Sequence, residues 1–272
     1  MLDPLYAGAR RFDGRVCIVT GAGQGIGRAA AKRFGAEGGK VVVAERSPES
    51  AAATVEQLHE HGAEAIASVV DISTLAGAKA LMQQALAAYG RIDVLANIVG
   101  GAIWWKPYHE FTEEELAFEL ERNLYTAMWC CTAVLPIMIE QGKGAIVNTS
   151  SGVTRGRIYR APYAIGKGGV EAMTKTLAKE YGPYGIRVNA ISPGSTSVTD
   201  RTTSRLVLRP DRVAESTPEM EARMREALAD PKKDYALGRS STTAEHAGAI
   251  AFLASDDAGY ITGQIINCHG DP

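Results

Sequence analysis

The apolar run Arg15-Val-Cys-Ile-Val-Thr20 stops at Gly21-Ala-Gly-Gln-Gly-Ile-Gly27, and a helical pattern takes over from about Arg28 to Glu37. Few folds accommodate a short apolar strand that breaks at a glycine-dense turn and restarts as a helix. Glycine is needed where backbone turns tightly or comes close to a phosphate. The helix behind it offers free N–H groups and the positive end of its dipole to an anion. The spacing Thr20-Gly21-x-x-x-Gly25-x-Gly27 differs from G-x-G-x-x-G. The strand–turn–helix context therefore carries the expectation of a bound pyrophosphate, with Gly21, Gly25 and Gly27 lining it.

The alternation then repeats. Apolar runs lie at about 40–44, 65–70, 92–96, 145–149, 186–191 and 263–267. Helical patterns fall between them at about 49–61, 75–89, 162–181 and 243–255, and 113–140 reads as one long helix. The strands are continuous apolar runs rather than alternating ones, the pattern of a parallel sheet buried on both faces. Right-handed crossovers then give an α/β, doubly wound parallel sheet, whose ligands bind at the carboxyl ends of the strands. No composition break or internal repeat divides residues 1–272, so one domain is expected. The segment from about 195 to 235 breaks the rhythm. It is polar and charged, with Pro210, Pro218 and Pro231, and is read as a substrate lid.

Composition excludes several functions. The formal net charge is −2, so nothing points to nucleic acid or to an anionic membrane. No apolar run approaches the length of a spanning helix, and residues 1–13 hold no apolar signal core. Cys17, Cys130, Cys131 and Cys268 form no C-x-x-C pair, and no cluster suggests a metal. A cytoplasmic protein with buried, reduced thiols is expected.

Tyr163 and Lys167 are four apart, which places both side chains on one helix face. A free phenol has a pKa of about 10 and is a poor base at neutrality. An ammonium held beside it favours the phenolate, so the pair can serve as a general acid/base. Glu45 ends the second strand, where a carboxylate can accept from both ribose hydroxyls of an adenosine. It would repel a 2′-phosphate and so favours NAD over NADP, whereas the adjacent Arg46 could serve a phosphate. Asp71, after the third strand, suits either an adenine edge or a helix cap.

In order along the chain, Thr20-Gly-x-x-x-Gly-x-Gly27, Asn97, Ser150-Ser151, Tyr163-x-x-x-Lys167 and Pro193-Gly194 resemble the short-chain dehydrogenase/reductase family. The resemblance covers about Gly14 to Gly270 and implies a Rossmann-fold, NAD-dependent oxidoreductase. It makes Tyr163 the acid/base, Lys167 its modulator and a ligand of the nicotinamide ribose, and Asn123 the anchor of a proton-relay water. A serine holds the substrate oxygen. Alignment from the fifth strand selects Ser151, and the interval back from Tyr163 selects Ser150; the strand alignment is preferred, because loops vary in length and strands do not, which makes Ser151 the catalytic serine. The resemblance adds Gln24, Ile26, Ile72, Asn97, Pro193 and Thr196 to the cofactor contacts. It departs at Asn97-Ile-Val-Gly100, where the family has Asn-Asn-Ala-Gly.

The stretches Ile103-Trp-Trp-Lys-Pro107, Met128-Trp-Cys-Cys131, Thr154-Arg-Gly156 and Arg160-Ala-Pro-Tyr163 resemble, more narrowly, the benzoate cis-diol dehydrogenases. That implies NAD-dependent oxidation of a carboxylated cis-dihydrodiol to a catechol with loss of carbon dioxide, in aromatic acid breakdown. The alternatives are a family member acting on an alcohol, sugar or ketone, and a non-catalytic NAD-binding scaffold. A carboxylated substrate calls for a cation, and arginine forks match carboxylates. Arg155 and Arg160, in the loop before Tyr163, are the candidates, while the lid carries Arg201, Arg205, Arg209 and Arg212. Trp104 and Trp105 could wall a flat ring. The resemblance also implies a homodimer or homotetramer packed through the 113–140 helix and the helix bearing Tyr163.

Overall fold

A computed structural model of the chain describes residues 10–200, 207–209, 212–228, 230, 233 and 235–270. Its frame is seven strands: β1 (Val16–Thr20), β2 (Lys40–Glu45), β3 (Ala65–Val69), β4 (Val94–Asn97), β5 (Gly144–Thr149), β6 (Ile186–Pro193) and, last in the chain, β11 (Ile265–Cys268). All pair in parallel, in the order β11-β6-β5-β4-β1-β2-β3. The helices are α1 (Gly25–Ala36), α2 (Pro48–Glu60), α3 (Leu75–Tyr89), α4 (Glu113–Leu120), α5 (Thr126–Gln141), α6 (Ala161–Tyr181), α7 (Pro218–Ala227) and α8 (Thr243–Ala254).

The two-residue period of a strand sorts the core onto two faces. Cys17, Val19, Val41 and Val43 point to one side, where Ala30, Phe34, Leu58, Ile250 and Ala251 of α1, α2 and α8 cover them. Val16, Ile18 and Val42 point to the other, against Leu81, Val134 and Met138 of α3 and α5. This is the doubly wound sheet that the sequence predicts. Helix ends follow local chemistry. Ser47 accepts from the Ser50 N–H ahead of Pro48, Thr74 accepts from Gly77, and Thr112 and Glu115 form a capping box. Gly90 and Gly142 close α3 and α5 in the left-handed conformation.

Strand order reverses at β1, so a crevice opens beyond the ends of β1 and β4. Thr20 locks that edge. Its Oγ1 donates to the Ala96 carbonyl and accepts from the Ile98 N–H at 3.0 Å.

Three expectations need correction. The stretch 113–140 is not one regular helix: α4 passes into a π-helical turn, Glu121–Tyr125, before α5 begins. Such a turn inserts a residue and re-aims its side chains, and Asn123 lies in it. Helix α1 starts at Gly25, inside the glycine motif, rather than at Arg28. The sheet edges are not continuously buried, because β3 exposes Ala67 and Val69 and β11 exposes Ile266 and Asn267. The segment 195–235 also has structure of its own. It holds β7 (Thr196–Ser197), β8 (Val207–Arg209), β9 (Arg212–Val213) and α7, and β7 pairs with β10 (Ser241–Thr242).

Candidate active site

The glycine turn builds the floor of the crevice. A Cβ on Gly27 would run into the Gly21 carbonyl, so only glycine lets α1 approach β1 this closely. Gly21, Gln24, Gly25, Ile26 and Gly27 line one side, and Glu45, Arg46, Asp71 and Ile72 close the end. The Glu45 carboxylate accepts from the Gly23 N–H at 3.1 Å and the Arg46 N–H at 2.7 Å, which folds it over the glycine turn. Asp71 lines the crevice and also accepts from Ser73 at 3.0 Å, so groove and turn roles coexist in one side chain. The turn takes an anion, since the Gly25 N–H donates to the Asp200 carboxylate. Backbone donors, close glycine packing and a terminal carboxylate fit a nicotinamide dinucleotide.

Not every expected cofactor residue faces the crevice. Asn97 is buried and donates across the sheet to Asn148 Oδ1 at 2.9 Å, which makes it a support beneath the site. Pro193 is buried at the end of β6, and the Thr196 hydroxyl turns to His246 Nε2 at 3.0 Å. Val198, Val99 and Arg122 line the crevice instead. No glycine or charge pattern marks the two valines. Arg122 is adjacent to Asn123 but falls on the crevice through the π-helical turn.

Lys167 is buried, and its Nζ donates to the Thr149 carbonyl at 2.8 Å and lies 3.5 Å from the Val99 carbonyl. Burial, helped by the charge of Arg122, lowers its pKa from 10.5 to about 7. Tyr163 stands one turn earlier on α6, half-buried against Ala102, Trp105 and Ala227. Asn123 is fully buried, with Oδ1 accepting from the Gly101 N–H at 2.7 Å. Gly100 sits between these side chains. A Cβ there would lie 2.6 Å from Lys167 Nζ and 2.9 Å from Asn123 Oδ1.

The two serines separate by partner. Ser150 is buried and donates to Glu171 at 2.6 Å, so its hydroxyl is used in fixing α6. Ser151 is half-buried and caps the turn Gly152–Arg155, accepting from Val153 at 3.3 Å. The arginines separate as well. Arg155 turns toward His269 Nδ1 at 3.4 Å, and Ser192 holds the other ring nitrogen at 3.0 Å. Arg160 instead stacks its guanidinium 4.4 Å from the centre of the Trp105 ring. Trp104 and Trp105 are buried under the lid, Trp104 with Phe118 and Ala214, Trp105 with Ala227. Tyr159 adopts φ 64°, and its hydroxyl donates to Glu226 of α7, tying the loop before Tyr163 to the lid. Arg201 and Arg205 lie outside the described residues, as do the side chains of Arg209 and Arg212.

A family model described as short chain dehydrogenase matches residues 15–206. A protein of Acinetobacter baylyi named 1,6-dihydroxycyclohexa-2,4-diene-1-carboxylate dehydrogenase is 45% identical over 262 residues, 96% of this chain and 97% of its own. A Pseudomonas putida protein of the same name is 42% identical, covering 93% and 91%. Among solved structures, 7α-hydroxysteroid dehydrogenase complexed with NADH and 7-oxo glycochenodeoxycholic acid superposes with a TM-score of 0.81 at 28% identity. That match covers 96% of this chain and 94% of the other. Among the described residues no helix is long and apolar enough to cross a membrane, and no group of three or more His, Cys, Asp or Glu could hold a metal.

Proposed function

The chain belongs to the short-chain dehydrogenase family, and from that premise we propose that it oxidises a carboxylated cis-dihydrodiol of the 1,6-dihydroxycyclohexa-2,4-diene-1-carboxylate type, with NAD as oxidant. The observation that carries the substrate class is the Arg160 guanidinium on Trp105, a member of the apolar cluster against which Tyr163 packs. This supports Arg160 as the cation and Trp105 as the flat wall of a site whose acid/base is Tyr163. The two relatives named for this substrate support the same reading.

Tyr163 takes the proton of the C6 hydroxyl, and Ser151 donates a hydrogen bond to the same oxygen. Bound NAD supplies the acceptor for the hydride that leaves C6. Lys167, held on the Thr149 carbonyl, and Asn123, held on Gly101, keep a proton path behind Tyr163. Arg160 holds the carboxylate. The ring product is a β-keto acid. Its carboxylate leaves as carbon dioxide, the bonding pair moves into the ring to give an enolate, and the former ketone oxygen takes the proton back from Tyr163 to become the second phenol of a catechol. No further catalytic group is needed. Glu45 favours NAD, because a 2′-phosphate would meet its carboxylate.

The test is NADH formation across a panel of carboxylated cis-diols and uncharged alcohols, with NAD and NADP compared. The expected result is NAD-dependent turnover of the diol acid with release of carbon dioxide. Turnover confined to uncharged alcohols would overturn the substrate class and select a simple alcohol or ketone enzyme of the family. We further take the protein to be cytoplasmic and to pair through the 113–140 stretch and α6, where Tyr125 of the π-helical turn and Ile165 of α6 are exposed. Sedimentation analysis of the purified chain tests the pairing.

A further inference from the structure

Glu119 lies in the last turn of α4 and is 1% exposed. One carboxylate oxygen accepts from the N–H of Ile103 at 2.7 Å and of Trp104 at 3.2 Å. The other accepts from Asn123 Nδ2 at 2.9 Å. Each of these partners is a donor. An ionised carboxylate is acceptor-only and satisfies them all, whereas an amide or a protonated acid must set a donor against a donor. Asn123 Oδ1 is meanwhile taken by the Gly101 N–H at 2.7 Å. The Asn123 amide is therefore oriented from both ends, and the backbone from Gly101 to Trp104 is stitched to the same two side chains.

We infer that Glu119 is a positioning residue, which fixes the Asn123 amide for the proton path and holds the loop that carries Trp104. This rests on the reading of Asn123 as part of the acid/base centre. Burial without full compensation raises the Glu119 pKa to about 7, against the two backbone donors, the charge of Arg122 and the Asn123 amide. The charge that reaches it is Arg122 on the next turn; Lys167 of α6 lies beyond Asn123 at Gly100, and Lys106 of the loop is paired with Glu115, one turn earlier on α4, at 2.6 Å. Protonation sets a proton against the Asn123 amide or the loop donors, so the arrangement loosens below neutrality.

The test pairs Glu119→Gln with Glu119→Asp. The amide variant should lose about 10- to 100-fold in kcat. NADH should still bind it within about twofold of the parent. Its kcat–pH profile near pH 7 should be shallower than the parent's, because Lys167 still ionises there and Glu119 no longer does. The aspartate variant, which keeps an acceptor-only group, should recover most of the loss. In the parent, without substrate, a glutamate carboxyl carbon should titrate near pH 7 by NMR, and the Gly101 and Ile103 amides should lose exchange protection over the same range. An unchanged kcat and pH profile in Glu119→Gln would overturn the assignment, as would a parent whose amides ignore that titration. The NMR arm needs no substrate, and kcat is read on whichever alcohol turns over. Failure of the diol acid as substrate is thus told apart from failure of the positioning role.

Discussion

The Asp200 carboxylate accepts from the Gly25 N–H, with its two oxygens at 3.1 and 3.3 Å, on the first residue of α1. It also reaches Arg28 Nη1 at 3.4 Å. A dinucleotide pyrophosphate would use this same helix N-terminus. The lid segment thus brings its own anion to the anion site, and a cofactor must displace it. Asp200→Asn keeps the size and removes the charge, so it should tighten NADH binding about three- to tenfold. Fluorescence titration of NADH measures this. Equal affinity in parent and variant would mean that the carboxylate leaves the glycine turn without cost.

Tyr163→Phe removes one oxygen from a half-buried ring that packs against the cluster of Ala102, Trp105 and Ala227. The packing survives, so the unfolding midpoint should change little. Turnover should fall by at least about a thousandfold, with NADH affinity within about twofold. Substantial residual turnover in the variant would move the acid/base role to another group.

The sheet, and the single helix that carries Tyr163 and Lys167 one turn apart, are legible in the amino-acid sequence alone. Strand runs such as Val16–Thr20 and Val41–Ala44 are buried on both faces, so their composition reveals a parallel sheet. Tyr163 and Lys167 share a helix, and their spacing carries over directly into three dimensions. Residues that meet through tertiary packing are harder to read. Glu119 sits among apolar residues of α4, and only the folded loop after β4 brings it the Ile103 and Trp104 donors. Asn97 and Thr196 lie within two positions of crevice residues in sequence, but their side chains point to Asn148 and His246. A one-residue insertion in the helix register at 121–125 follows from where Asn123 must point, and no local propensity announces it.

Lys167 carries a burial cost. In the unfolded chain its pKa is about 10.4, and in the fold it is lowered to about 7. Between these values the unfolded chain binds the proton and the folded chain does not, so stability rises with pH across that window. The burial penalty is complete below about pH 7. Lys167→Met should therefore be inactive yet more stable than the parent by a few kcal/mol at pH 6. The gap should shrink toward pH 10. Urea melts of both proteins at the two pH values measure it, and a gap that does not vary with pH would sink the assignment.

His246 should make the lid base acid-sensitive. It is 1% exposed, and its Nε2 meets Ser241 Oγ at 2.7 Å and Thr196 Oγ1 at 3.0 Å, across the β7–β10 pair. Its Nδ1 is buried with no hydrogen-bond partner. A cationic imidazole would need acceptors on both sides, so burial, with a smaller push from His269, lowers the pKa from 6.5 to about 4. The fold therefore requires the neutral ring. Between pH 4 and 6.5 the unfolded chain binds a proton that the folded chain refuses, and stability falls as pH falls through this range. The full loss is on the order of 3 kcal/mol for a shift of this size. In His246→Asn, which has no group titrating there, the decline in stability from pH 7 to pH 5 should be shallower than in the parent. Denaturant melts at the two pH values provide the comparison. Parallel declines in both proteins would place the acid sensitivity elsewhere in the chain.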